Sequence, residues 1–262
     1  MDQKKIINSF MKNGYIIEKV LNDDSLKYIS NDIYNFLENT KYFDGTKVNL
    51  EILNNFNQFV PNSELNKLRL DLINNLKSKK IIRDKFFDLI DEYLYLLVGN
   101  ELAMQKNINL VIAPPGDSSA LLDLHADTWG GNSPFELVVW LPLVDCYETK
   151  SMFMLDYENS KKISLEEKIK DQNSFLNTED LYQEIKNNVF WPKVNYGEVL
   201  LFNPTMPHGA RVNNEKETRF SLNCRFKSIF SPYGDKKIGE YFEPINLKPV
   251  SKIAFDYLNE KI

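Results

Sequence analysis

The chain has 262 residues, 43% of them hydrophobic and 26% charged, a balance that supports a large packed core and excludes a disordered or fibrous polymer. Thirty-two basic residues against 37 acidic give a net charge of -5, so no overall positive field exists to hold nucleic acid. Apolar runs are short: Leu137 to Leu141 ends at Pro142, far below the about 20 residues of a membrane span.

The opening MDQKKIINSFMKNGY lacks the apolar stretch of a secretory signal, and Cys146 and Cys224 show neither a pairing framework nor a Cys-x-x-Cys spacing. The expectation is a cytoplasmic protein with two buried thiols.

Residues 1–100 read as mostly helical support with one early strand. Lys4 to Lys12 forms a short helix, and Asn13-Gly14 turns into the β-branched run Tyr15 to Val20. Asn22 caps a helix through Leu26, Ile29, Ile33, Phe36 and Leu37 that ends near Asn39. An Asn-rich polar stretch precedes a second helix, opened at Pro61-Asn62-Ser63 and carrying Leu65, Leu68, Leu72, Ile73 and Leu76. A third runs from Ile81 to Val98, stopped by Gly99.

From Asn107 the texture changes to short strands with Pro, Gly and Asn between them: Asn107 to Ala113, Leu121 to Asp127, Phe135 to Val144, Ser151 to Leu155, Val199 to Phe202, Arg211-Val212 and Thr218 to Lys227. This order predicts a mainly β fold with flanking helices, its strands forming an antiparallel sandwich or barrel over residues 103–228. A helical insertion at 160–190 opens on the capping box Ser164-Leu165-Glu166-Glu167, continues at Thr178 to Asn187, and serves as a lid or a flank. Residues 229–262 form a C-terminal extension with a last helix from Pro249, and the whole chain, 1–262, reads as a single domain.

The chain has two histidines, His125 and His208. His125-Ala126-Asp127 sets an imidazole and a carboxylate two apart on an extended segment, where both point to one face. His208 follows the strand Gly197 to Phe202, and in a closed double sheet the two places can be neighbours. Two imidazoles and one carboxylate form a facial triad suited to Fe(II), with three positions left open for substrate and oxygen. Zinc is the competitor, since the same ligands suit a tetrahedral hydrolytic site. Arg219 stands 11 residues beyond His208 on a strand of clean alternation. Phe220, Leu222, Cys224 and Phe226 face one way, while Arg219, Ser221, Asn223 and Arg225 face the other, toward solvent or toward a pocket. A guanidinium fork is the group that would hold an acid cosubstrate.

His125-x-Asp127, His208 and Arg219, set in short strands after a helical third, resemble the Fe(II)- and 2-oxoglutarate-dependent dioxygenases, in particular their phytanoyl-CoA-hydroxylase-like branch. That resemblance implies a cupin-like double-stranded β-helix, or jelly roll. It implies His125, Asp127 and His208 on Fe(II), Arg219 on the far carboxylate of 2-oxoglutarate, and O2 at the remaining position. The overall reaction oxidises a substrate, by default through hydroxylation, while 2-oxoglutarate becomes succinate and CO2. Desaturation, epimerisation and alcohol oxidation belong to the same chemistry. In the related halogenases the position of Asp127 is Gly or Ala, so a carboxylate here favours oxygenation.

A narrower likeness, to 2-oxoglutarate oxygenases of sporadic carbohydrate clusters, rests on His125 to Gly130, Ser133 to Asp145 and Thr149 to Met152. It implies a small-molecule substrate, a sugar or nucleotide sugar of surface-carbohydrate biosynthesis, with Lys150 and Ser151 at the substrate. Trp129, in the Gly-rich turn after Asp127, is a candidate wall for a sugar ring or a rim residue. Asn223 is a candidate substrate contact, and Asn109 and Arg225 are candidate cosubstrate contacts; the alternatives are a structural hydrogen-bond network for Asn223 and an exposed sheet face for Asn109. The rival functions are a zinc-dependent cupin-like enzyme, a non-catalytic carbohydrate-binding jelly roll, and a hydroxylase of macromolecules.

Overall fold

The computed structural model describes residues 2–167 and 178–259. Helix α1 (Gln3–Asn13) is capped by Asp2 and ends on Gly14, whose φ of 75° turns the chain into strand β1 (Tyr15–Lys19). Asn22 accepts the Ser25 amide and opens α2 (Asp23–Glu38). The Asn-rich stretch holds a short helix, α3 (Leu50–Asn54), capped by Asn49, which its polar composition concealed. Then comes α4 (Asn62–Lys77).

The single helix expected over Ile81 to Val98 is two, α5 (Lys80–Asp88) and α6 (Asp91–Leu97). The break falls at Leu89-Ile90, where both side chains are buried and the Leu89 carbonyl accepts the Leu21 amide instead of continuing the helix.

The strands that follow are β2 (Leu102–Gln105), β3 (Asn109–Ala113), β4 (Leu122–His125), β5 (Glu136–Pro142) and β6 (Phe153–Leu155). After the helices α7 (Tyr157–Glu167) and α8 (Thr178–Ile185) come β7 (Val189–Phe190), β8 (Glu198–Phe202), β9 (His208–Ala210), β10 (Arg219–Ser228) and β11 (Phe242–Asn246), then the terminal helix α9 (Pro249–Asn259). β2, β7 and β11 were not foreseen, and the strand expected at Arg211-Val212 lies at His208–Ala210 instead.

Paired strands are antiparallel and form two sheets. The larger has the order β1-β8-β5-β10-β2-β11, with β3 also on β10; the smaller is β4-β9-β6-β7. On β10 the apolar residues Phe220, Leu222, Cys224 and Phe226 are buried against the helical third, with Phe220 edge-on to Phe56 and Phe226 stacked on Phe86. The polar face of β10 therefore points the other way, and Arg219 and Ser221 on it are buried rather than bathed in solvent.

The insertion is a flank. Its first helix starts at Tyr157, before the expected box at Ser164, because Asp156 caps it through the Asn159 amide. Ile163 and Ile185 pack with Leu124, Phe153 and Leu155 of the smaller sheet, burying the face opposite the histidines. Arg211 stacks on Tyr182 of α8 at 4.3 Å and pairs with Glu179 at 2.7 Å. Residues 168–177 lie outside the described part of the chain.

Candidate metal centre

β9 lies between β4 and β6, and its register sets His208 directly opposite His125. Gly209 permits this approach: a Cβ there would come within 2.6 Å of both the Leu122 carbonyl and the Phe153 ring. The two imidazole centroids are 4.4 Å apart. Asp127 is not on the strand with His125 but opens a 3₁₀ turn, Asp127–Gly130, and its Oδ1 lies 3.7 Å from His125 Nε2. Ligand atoms of His125, Asp127 and His208 all fall within 4.8 Å of one another.

The backbone selects the tautomers. His125 Nδ1 lies 2.8 Å from the Asp123 carbonyl and His208 Nδ1 lies 2.9 Å from that of Met206. A carbonyl only accepts, so each Nδ1 carries the proton and each Nε2 is left as a lone-pair donor. Burial, helped by the neighbouring His125, pushes His208 down to about 4, which keeps its ring neutral. Burial alone would raise the Asp127 carboxyl; hydrogen bonds and charge from Arg225 override it and hold the group below its ordinary value. Two imidazole Nε2 atoms and an ionised carboxylate converging on one point fit a divalent metal ion of the kind that takes a facial triad.

Arg225 donates Nε to Asp127 Oδ2 at 2.7 Å and Nη2 to Oδ1 at 2.6 Å, so it serves the proposed ligand rather than standing free for a cosubstrate. Its Nη1 reaches Gln105 Oε1 at 3.2 Å. Asn109 and Asn223, paired across β3 and β10, bond to each other at 2.8 Å, with Asn109 exposed. Trp129 is 37% exposed, as a rim residue is.

Lys150 and Ser151 do not present free polar atoms. Lys150 is fully buried, its Nζ 2.6 Å from Glu217 and 2.7 Å from Asn54; Ser151 Oγ donates to the Pro192 carbonyl. The Ser151 carbonyl instead accepts from Arg219 Nη1 at 2.9 Å.

Arg219 is 5% exposed and has no carboxylate partner among the described residues. Its Nε is buried without a hydrogen-bond partner, and so is Ser221 Oγ two residues along the same face of β10. Native proteins leave few buried polar atoms unpaired. Two on one face, beside a buried cation without an acid, form a cradle suited to a carboxylate ligand. Ser221 was visible in the sequence only as a residue on the polar face of its strand, turned to solvent or to a pocket; Gln105 gave no signal.

Neither a protein-family model nor a curated protein sequence matches the chain. Solved structures do. One is the non-haem monooxygenase ThoJ in a nickel complex, 12% identical, with a TM-score of 0.55 over 93% of this chain and 84% of that one. EctD from S. alaskensis, solved with 2-oxoglutarate and 5-hydroxyectoine, is 13% identical, with a TM-score of 0.53 over 89% of this chain and 78% of its own. AviO1 from Streptomyces viridochromogenes Tue57 is 13% identical, with a TM-score of 0.54 over 89% of this chain and 98% of its own. At such identities the likeness is one of fold.

Proposed function

We propose that residues 1–262 form one catalytic unit on a jelly-roll core, a non-haem Fe(II)- and 2-oxoglutarate-dependent oxygenase acting on a small polar metabolite. The observation that carries this reading is the buried, acid-free Arg219 with the unpaired Ser221 hydroxyl on the face of β10 that also holds Arg225 against the triad. The triad alone would serve a zinc hydrolase as well, and it is the added anion cradle that a dicarboxylate cosubstrate calls for. The fold shared with EctD, whose structure holds 2-oxoglutarate, supports the same cosubstrate.

In this reading His125 and His208 supply Nε2 and Asp127 supplies a carboxylate oxygen. Arg219 and Ser221 bind the far carboxylate of 2-oxoglutarate and orient its 2-oxo acid end toward the triad. The metal, when bound, supplies oxygen activation coupled to conversion of 2-oxoglutarate into succinate and CO2. Asn109 and Asn223 offer amides to substrate hydroxyls, and the exposed Trp129 offers a ring face at the rim. Amides with an aromatic suit a sugar or nucleotide sugar, oxidised by default through hydroxylation.

The test is anaerobic addition of Fe(II) and then 2-oxoglutarate to the apoprotein. A weak visible charge-transfer band, lost in Asp127→Ala, is the expected result. Tight zinc binding with no such band would instead move the protein to the hydrolytic or structural zinc class.

A further inference from the structure

We infer that Arg225 is a positioning residue that confines Asp127 to binding its metal through one oxygen, Oδ1. This rests on the metal reading above and adds to it which oxygen binds and what keeps the other off the ion.

The guanidinium meets the carboxylate as a two-pronged fork, Nε on Oδ2 and Nη2 on Oδ1 at 2.7 and 2.6 Å. Two parallel N–H bonds of this kind run along the line that bisects the carboxylate. A metal chelated by both oxygens has to approach along that same line, so the fork and a chelated ion exclude each other. What remains to the metal is the outer lone pair of a single oxygen. Oδ1 is the oxygen 3.7 Å from His125 Nε2, which places it on the histidine side.

The fork is itself held. Arg225 and Asp127 are 11% and 4% exposed as side chains, so little water competes for either. Nη1 is tied to Gln105 Oε1 on β2; Gln105 Nε2 reaches Asn109 Oδ1 at 3.4 Å, and Asn109 bonds Asn223. The guanidinium thus ends a row of amides on one sheet face and is fixed from the side opposite Asp127.

The consequence lies in counting positions. Two imidazoles and one carboxylate oxygen occupy three places of an octahedral ion and leave three. A 2-oxo acid bound at two points leaves one for oxygen. A chelating Asp127 would take a fourth, and the acid would then fill the ion completely.

Nickel(II) is the probe. Crystal structures of the Ni(II)-loaded wild type and Arg225→Met are expected to show Asp127 on the ion through Oδ1 alone in the former, with the fork intact, and through both oxygens in the latter. Calorimetry is expected to show Ni(II) still bound by the variant and 2-oxoglutarate bound to the Ni(II) protein within about threefold of wild type, since a chelating Asp127 still leaves the acid its two positions. A tenfold loss of 2-oxoglutarate affinity in Arg225→Met would mean that Arg225 touches the cosubstrate itself, and the inference fails. Should Arg225→Met not fold, the wild type decides alone: an ion across both oxygens, or a fork released from Asp127, overturns the proposal. An ion on Oδ1 under an intact fork, in a protein that never binds 2-oxoglutarate, upholds the positioning role and sinks the cosubstrate reading.

Discussion

Arg219 and Arg225 share one face of one strand, yet among the described residues Arg225 has an acid and Arg219 has none. Burial of a guanidinium without an acid costs several kcal/mol, a cost that a bound dicarboxylate offsets. Replacing Arg219 by Met should therefore leave apoprotein stability within about 1 kcal/mol of wild type or above it, and leave metal affinity intact. Affinity of the metal-loaded protein for 2-oxoglutarate should drop at least about 30-fold, the loss of roughly 2 kcal/mol or more expected when one partner of a buried charge pair is removed. Calorimetry with and without 2-oxoglutarate checks both halves. The triad was legible because two histidines and a two-residue spacing leave few alternatives. The fork on Asp127 was not: alternation puts Arg225 on the right face, but no spacing rule says which acid across the cleft a long side chain will meet. Lys150 and Ser151 fell short for the opposite reason, since burial of the one on Glu217 and Asn54 and of the other on Pro192 is a property of neighbours that a motif does not carry.

Periodicity served well for the elements wherever one face was apolar and the other polar. It carried the alternation of β10 and the cap and stripe of α2 through to the structure. It missed the break at Leu89-Ile90, because both residues fit the continued helical pattern and only the tertiary bond from Leu21 decides against it. β2 was hidden because all four of its residues are buried, which erases alternation.

Cys224, in the middle of β10, gives this strand a reporter. Burial pushes its thiol up to about 12 from the ordinary 9.0. The folded state then holds the proton between those values while the unfolded chain gives it up, so this contribution to stability is whole below about pH 9 and is lost as pH rises toward 12. Alkylation at pH 8 should leave the native thiol untouched and proceed at the rate of global unfolding; fast labelling would show that β10 opens locally. On the flank, Phe153→Ala should cost about 3–5 kcal/mol, because the ring lies 4.9 Å from Tyr182 and 5.7 Å from Trp191 and joins the smaller sheet to its cover. Arg211→Ala, at a partly exposed ion pair, should cost no more than about 1 kcal/mol, and denaturant unfolding separates the two.

The C-terminal extension belongs to the site on the scale of the whole molecule. Asp235 donates its amide to the Gly131 carbonyl, Ser133 Oγ donates to Pro232, and the turn that begins with Asp127 is thereby clamped from a segment about a hundred residues later. A Cβ on Gly234 would come 2.4 Å from the Gly131 oxygen. Gly234→Ala should thus lower metal affinity severalfold without altering any ligand, measurable as a smaller metal-induced rise in melting temperature. Composition announces such an extension but not where it returns.

The first strand of the larger sheet is made long before its partner. Tyr15 of β1 pairs with Phe202 of β8, and the central β10 comes later still. At about 5–20 residues per second, a ribosome needs roughly 10–40 s to travel from one to the other. During that interval Phe56, Phe86 and the leucines of α4 have no sheet to lie against. The amino-terminal third is accordingly the part that needs shelter while the chain is being made, and its apolar side is where a holding chaperone would bind the nascent protein.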